Sequence, residues 1–284
     1  MSGDKTIQVL QGGSALAEWG PMRLVISAFV GRIPQPQMCV RAAEESFLFL
    51  ESVARSRSLV YKNHREVQKG IKEPVVLEMI ESVRVVGDED LTPMAAVAGA
   101  IGDAVADFLA DRGMTKVVVD NGGDIAVRLH GSDPAIIGIR PEVHDQAICH
   151  VVALHPDRSS WGVATSGLGG RSLTRGIATA ATIIAAKASV ADGAATAVAN
   201  ASYIQDAQVI QRPAHEIDPY TDIPGLPVTI KVGLLSEEKR ALALTQSIQR
   251  AEELIKRKVI LGAFVAVQGK IAMTTFFEEL LLEQ

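Results

Sequence analysis

Aromatic side chains are scarce in this sequence: Phe, Tyr and Trp together make up 4% of 284 residues. A core with so few rings has to be filled by Val, Ile, Leu and Ala, with backbones brought close together. Cysteine is scarce as well. Cys39 and Cys149 lie far apart and form no CxxC pair, which argues against a disulfide framework or a zinc site. There is no excess of positive charge; the net charge is −5 and no dense basic stripe is present. A sequence-independent nucleic-acid binder is therefore not expected. The first residues carry no apolar run of the secretory kind. The longest weakly polar run, 176–201, is mostly alanine and is interrupted by Lys187 and Asp192, so it does not read as a membrane span. A cytoplasmic protein without a membrane partner is the expectation.

What is present is an ordinary globular balance, 48% apolar and 21% charged, with 24 glycines. No low-complexity linker interrupts it, and residues 1–284 read as one domain. Residues 6–10 and 22–30 read as strands joined by a loop. Cys39, Ala42, Ala43, Ser46, Phe47, Leu50 and Val53 recur at helical spacing, which predicts an amphipathic helix over 37–55. The segment 56–73 is polar and basic and reads as a loop; 74–83 reads as a short helix. Thr92 as N-cap, Pro93 at the first helical position and Gly113 as a stop delimit a further helix. Its first half is nearly all Ala and Gly, so another backbone or a ligand can come close to its axis. Strands are expected near 115–125, 126–129, 135–139, 148–154, 161–166, 182–187, 228–232, 259–267 and 271–275. Helices are expected over 189–201 and 236–258, and a proline-containing loop over 213–227. Strands grouped between helices, without strict alternation, point to an α+β fold. Each slim helix carries an aspartate, at Asp103 and at Asp192, an echo that suggests two similar halves.

Three segments could carry chemistry. The first is Val117-Val-Val-Asp-Asn-Gly-Gly-Asp-Ile125, a β-branched run ending in Asp120, Asn121, Gly122, Gly123 and Asp124. Glycines there admit positive φ and let a ligand lie on the backbone; a plain hairpin turn is the alternative. The second is 164–176, with four glycines, four hydroxyls including Thr165 and Ser166, and Arg171 and Arg175. Its amides could form an anion nest with arginine pairing to phosphate. It is neither a P-loop nor a GxGxxG fingerprint, and a mobile glycine loop is the alternative. The third is Asp192-Gly-Ala-Ala-Thr196. On a helix, positions i and i+4 share a face, so a carboxylate and a hydroxyl would meet at one spot. That pair suits Mg²⁺, which keeps waters and leans on a phosphate ligand; a helix N-cap at Asp192 is the alternative. The six histidines show no metal or triad spacing.

Together these segments resemble the ApbE superfamily, whose best-known members are Mg²⁺-dependent FAD:protein FMN transferases; the likeness is nearest to a shorter, uncharacterised branch. It rests on Pro93–Ile101, Asn121–Ile125, Thr165–Gly167 and Ala191–Ala197, strongest over 90–200. The resemblance implies a T-fold-like α+β architecture of mixed sheets and packed helices. It implies Mg²⁺ held by Asp192, Thr196 and the main-chain carbonyl of Val97. Asp103 and Asp192 would be the catalytic acids. Gly99, Asn121, Gly122, Gly123, Asp124, Thr165, Ser166, Gly167, Arg171 and Arg175 would hold FAD or another nucleotide. The expected partners are a flavin or nucleotide and, for a transferase, a protein acceptor; a homodimer is left open. The family's Lys-Gly-x-x-x-Asp motif has Ala98 in the lysine position. Its His-x-x-Asp-Pro motif is missing from its usual interval, and His215-Glu-Ile-Asp-Pro219 follows the magnesium aspartate instead. These departures leave a non-catalytic nucleotide-binding accessory protein as the second reading.

Overall fold

The computed structural model describes residues 3–67, 70–142, 148–170 and 172–282. Three antiparallel strands open the chain: β1 (Thr6–Val9), β2 (Ala15–Trp19) and β3 (Met22–Val30), followed by the short β4 (Ile33–Pro34). Next come α1 (Pro36–Arg55), the single turn α2 (Arg57–Val60) and α3 (Pro74–Val86). A 3₁₀ turn at Pro93–Ala96 leads into α4 (Val97–Ala110). Six strands follow: β5 (Lys116–Asn121), β6 (Ile125–Leu129), β7 (Ala135–Ile139), β8 (His150–Leu154), β9 (Ser160–Ser166) and β10 (Ala180–Ala185). After α5 (Ala188–Ala201) come β11 (Val209–Pro213), α6 (Ala214–Ile217) and β12 (Pro227–Val232). The chain closes with α7 (Glu237–Lys256), β13 (Gly262–Val267), β14 (Lys270–Met273) and α8 (Thr275–Glu279).

One ten-stranded sheet carries the molecule, in the order β1-β2-β3-β5-β6-β9-β10-β13-β14, with β4 paired to β3. All its pairings are antiparallel. Side chains alternate across it, as a pleated strand requires. On one face, Leu24, Ile26, Val117, Val119 and Ala126 pack under α1, α3 and α4, while Ala164, Ala181, Ile183 and Val265 pack under α5 and α7. On the other, Val127, Leu129, Trp161, Val163, Ile184 and Phe264 lie beneath the β7–β8 hairpin and α8. The α+β architecture is thus as expected, with four of the longer helices, α1, α4, α5 and α7, on one side of a mixed-length sheet.

Close approach replaces bulk in this core. A Cβ at Gly99 would lie 2.2 Å from the Ala188 carbonyl oxygen, and one at Gly162 would lie 2.2 Å from the Ala188 nitrogen. The N-terminal halves of α4 and α5 therefore touch backbone to backbone over β9. The stretch Pro93–Ala110 is apolar and long enough to cross a membrane by length and composition. Here it packs into the core between α5 and the sheet.

Several elements differ from the sequence expectation. β2 lies inside what reads as a loop; Ala-Leu-Ala has little strand preference of its own, and the two-residue Gly20-Pro21 turn, with Gly20 at φ 57°, folds it onto β3. The helix beginning at Thr92 is broken. Thr92 does cap it, accepting a bond from the Met94 amide at 3.3 Å, but Ala96 departs from helical angles (φ −123°, ψ 13°) and divides the 3₁₀ turn from α4. α3 runs on to Val86, ending at Gly87 in the left-handed region (φ 88°). β11 lies between two expected elements and α8 follows the closing hairpin; both are too short for periodicity to reveal.

Candidate functional site

The site begins with what two slim helices leave exposed. In α5 every residue is buried except Val190, Asp192, Thr196, Asn200 and Ala201. Asp192, Thr196 and Asn200 stand at steps of four, so they form one half-buried polar stripe on an alanine helix. Asp192 Oδ2 accepts the Gly99 amide of α4 at 2.9 Å. Gly99 is the third residue of α4, where an unsatisfied N–H and the positive end of the helix both favour a carboxylate. Asp192 does not cap its own helix; the N-cap position of α5 is Lys187. Thr196 Oγ1 lies 3.4 Å from the Asp192 carbonyl, one turn along.

The relation is reciprocal. Asp103 of α4 accepts the Ala188 and Ser189 amides of α5 at 3.1 and 2.9 Å. Each helix thus supplies the carboxylate that caps the other. Asp103 also accepts from Arg128 Nη2 at 3.0 Å, and Arg128 Nε donates to Asp107 at 2.6 Å. Asp103 and Arg128 are 4% and 6% exposed, so this is a buried, fully engaged pair. Burial alone would lower the Arg128 pKa; the Asp107 and Asp103 carboxylates outweigh it and hold the guanidinium above its ordinary value. Glu78 of α3 completes the frame, accepting from Ser189 Oγ at 2.9 Å and from Lys187 Nζ at 2.8 Å.

The 120–124 segment is the hairpin turn between β5 and β6. Gly122 and Gly123 take positive φ, 70° and 108°, and Asp120 Oδ1 accepts the Gly123 amide at 2.7 Å. The turn is also tied to α4: buried Asn121 donates from Nδ2 to the Ala98 carbonyl at 3.1 Å, and Asp124 closes the turn through its carbonyl, which accepts the Asn121 amide at 2.9 Å. Val97, Ala98 and Gly99 in the first turn of α4 therefore sit between the hairpin turn and Asp192.

The 164–176 loop is less unified than its composition suggests. Thr165 shares its sheet face with Val163, away from α5, and its hydroxyl meets that of Thr182 at 2.8 Å. Ser166 ends β9 and Gly167 turns the chain, packing against the Thr179 carbonyl. Arg171 lies outside the described residues. Arg175 is not beside Asp192: its amide donates to Asn200 Oδ1 at 2.9 Å and its guanidinium pairs with Asp90. Asn200 is eight residues beyond Asp192, about 12 Å along a helix. In the 213–227 segment, His215 Nδ1 pairs with the Pro224 carbonyl at 2.6 Å, and Asp222 accepts from the Thr92 hydroxyl.

Sequence reasoning missed Arg128, Asp107, Glu78 and Asn200. Two of them had a signal. Arg128 interrupts an apolar strand at an inward position, and Asn200 continues the four-residue step from Asp192.

The family model described as "AbpE bacteria" matches residues 7–273. The chain belongs to this ApbE-like family. Among curated relatives of this ApbE-like protein, a UPF0280 protein of Methanothrix thermoacetophila is 38% identical over 113 residues, 38% of this chain and 45% of that protein. One from Archaeoglobus fulgidus is 35% identical over 134 residues, covering 44% and 49%. One from Methanocaldococcus jannaschii is 28% identical over 198 residues, covering 62% and 78%. The chain thus spans about half the length of the first two. Among solved structures, a mutant of the flavin transferase ApbE from Vibrio cholerae is 15% identical with a TM-score of 0.49, covering 98% of this chain and 100% of that one. The ApbE protein of Thermotoga maritima is 14% identical with a TM-score of 0.47, covering 99% of each.

Proposed function

We propose that this ApbE-like protein binds the diphosphate of a flavin or related nucleotide, together with Mg²⁺, where α5 crosses the first turn of α4. The observation that carries the reading is the stripe of Asp192 and Thr196 on an otherwise buried helix, with Asp192 set against the Gly99 amide. The donor set fits magnesium of a particular kind. Among the described residues no three His, Cys, Asp or Glu side chains gather in one place, so no all-protein cage is offered. One carboxylate, one hydroxyl and the Val97 carbonyl suit a cation that retains water and arrives with phosphate oxygens. When bound, Mg²⁺ would offset diphosphate charge and polarise a phosphoryl group.

The chain's own residues would do the positioning. Asp192 and Thr196 hold the polar face open. Asp103, engaged by two amides and Arg128, fixes the helix crossing and is a positioning residue in this reading. Gly122 and Gly123, lacking Cβ atoms, let a ligand come close to the turn, whose shape the Gly123 amide fixes by donating to Asp120. The reaction that the motif resemblance implies is transfer of FMN from FAD to a hydroxyl of a protein acceptor, in a cytoplasmic setting. Catalysis of that kind depends on holding phosphate and acceptor together.

A binding-only role is the second reading. Ala98 stands in the lysine position and offers only its carbonyl, which Asn121 occupies. The His215 ring is bonded to the Pro224 carbonyl. Incubation with FAD, MgCl₂ and a Ser/Thr acceptor peptide separates the two. AMP release with peptide flavinylation supports the transferase; Mg²⁺-dependent thermal stabilisation by FAD without AMP supports the binder.

A further inference from the structure

The caps at the crossing of α4 and α5 obey one rule. Asp192 accepts the amide of Gly99, which stands one turn before Asp103; Asp103 accepts the amide of Ala188, which stands one turn before Asp192. Gly99 and Ala188 are themselves in backbone contact. Gly99 with Ala188, Asp103 with Asp192 and Asp107 with Thr196 are all separated by the same number of residues, and Ala98-Gly-x-x-x-Asp103 recurs as Lys187-Ala-x-x-x-Asp192. This is a local pseudo-two-fold axis, passing between Gly99 and Ala188. It relates the proposed cation position at Asp192 and Thr196 to a second one, at Asp103 and Asp107. There the positive charge belongs to the chain. Arg128 of β6 donates to Asp103 Oδ1 at 3.0 Å, to Asp107 Oδ1 at 2.6 Å and to the Val127 carbonyl at 3.1 Å. The neighbouring cation, Lys187, is held by Glu78. Asp103 and Arg128 are buried, whereas the Asp107 side chain is 58% exposed, so the second position opens to water on one side.

We infer that Asp103 and Asp107 form a second cation position, which Arg128 fills from within, and that Arg128 thereby limits the crossing to a single divalent ion, on the Asp192 side. What the first position takes rests on the proposed Mg²⁺ reading; the second stands on the Arg128 contacts and the repeat. A guanidinium and a small divalent ion answer to the same carboxylates by different geometry. The first delivers N–H groups from a rigid plane; the second needs oxygens and retains water. With the guanidinium gone, two carboxylates, room for water and an opening at Asp107 remain. That is the donor set of a weak divalent site. A merely structural ion pair predicts lost stability and no bound metal.

Mn²⁺ is the probe, counted by the loss of its free paramagnetic resonance signal and followed by melting curves in MnCl₂ and in NaCl of equal ionic strength. The proteins are wild type, Asp192→Asn, Arg128→Ala, the milder Arg128→Gln, and Arg128→Ala combined with Asp107→Asn. Wild type is expected to bind a single Mn²⁺ that Asp192→Asn loses. Arg128→Ala and Arg128→Gln are expected to bind an additional Mn²⁺, with Kd about 0.1–1 mM, which Asp107→Asn abolishes. Saturating MnCl₂ is expected to raise the Arg128→Ala midpoint by about 3 °C more than that of wild type. If Arg128→Ala is unfolded without metal, MnCl₂ and not NaCl is expected to restore its transition. No additional Mn²⁺ in either Arg128 variant, or an additional Mn²⁺ that survives Asp107→Asn, overturns the second position and leaves the Asp192 reading standing. No Mn²⁺ on wild type, with one on Arg128→Ala that Asp107→Asn removes, upholds the second position and overturns the first.

Discussion

At the scale of single residues, two positions hold the site in shape without touching a ligand. Gly99 is one, because any Cβ there would strike the Ala188 carbonyl at 2.2 Å, and main chain cannot rotate aside as a side chain can. Gly99→Ala is expected to destabilise the protein by at least about 3 kcal/mol in urea unfolding. A loss under about 1 kcal/mol would mean the helices separate easily. Arg128 is the other. Arg128→Met removes the cation from buried Asp103, and breaking such a pair costs about 3–5 kcal/mol; equilibrium unfolding measures it. The two amides retained by Asp103 place the expectation at the low end. An unchanged midpoint would show that the capping amides alone satisfy Asp103.

At the scale of elements, the crossing of α4 and α5 explains both what the sequence revealed and what it hid. The amphipathic spacing of α1 and the Thr92–Pro93 start were legible because they rest on local pattern. The i, i+4 relation of Asp192 and Thr196 was legible for the same reason. The reciprocal capping was not, since Asp192 with Gly99 and Asp103 with Ala188 are contacts between segments some 85 to 93 residues apart. Composition likewise made 164–176 look like one phosphate nest, whereas the pleat sends Thr165 to the opposite face and Arg175 follows Asn200. The start of α5 carries a pH signature. Burial lowers the Lys187 pKa, but Glu78 more than offsets this and raises it above the usual lysine value. A raised folded pKa means the stabilisation is complete below the unfolded lysine value of about 10.4 and is lost as pH rises through the folded one. Lys187 is half exposed, 52% by side chain, so the contribution is small, at most about 1 kcal/mol. Lys187→Met is expected to melt slightly below wild type at pH 8 and to converge with it above about pH 10.5. A gap that widens with pH would contradict the assignment.

At the scale of the whole molecule, one antiparallel sheet brings segments from 93 to 200 to a common line, with the α4 first turn, the 120–124 turn and the α5 stripe side by side. The aromatic poverty of the sequence has its meaning here: Ala and Gly let helices meet at backbone distance, and only two polar steps of α5 are left near α4. The account stands on those steps, Asp192 above all. Asp192→Asn retains an oxygen for the Gly99 amide but removes the negative charge, so fold and cation binding can be told apart. FAD binding followed by flavin fluorescence with and without MgCl₂, on wild type and on Asp192→Asn, tests this most directly. The prediction is that Mg²⁺ tightens FAD binding by wild type at least about tenfold, and that folded Asp192→Asn loses this dependence. Equal affinity with and without Mg²⁺ in wild type, or the same Mg²⁺ response in the variant, would contradict it.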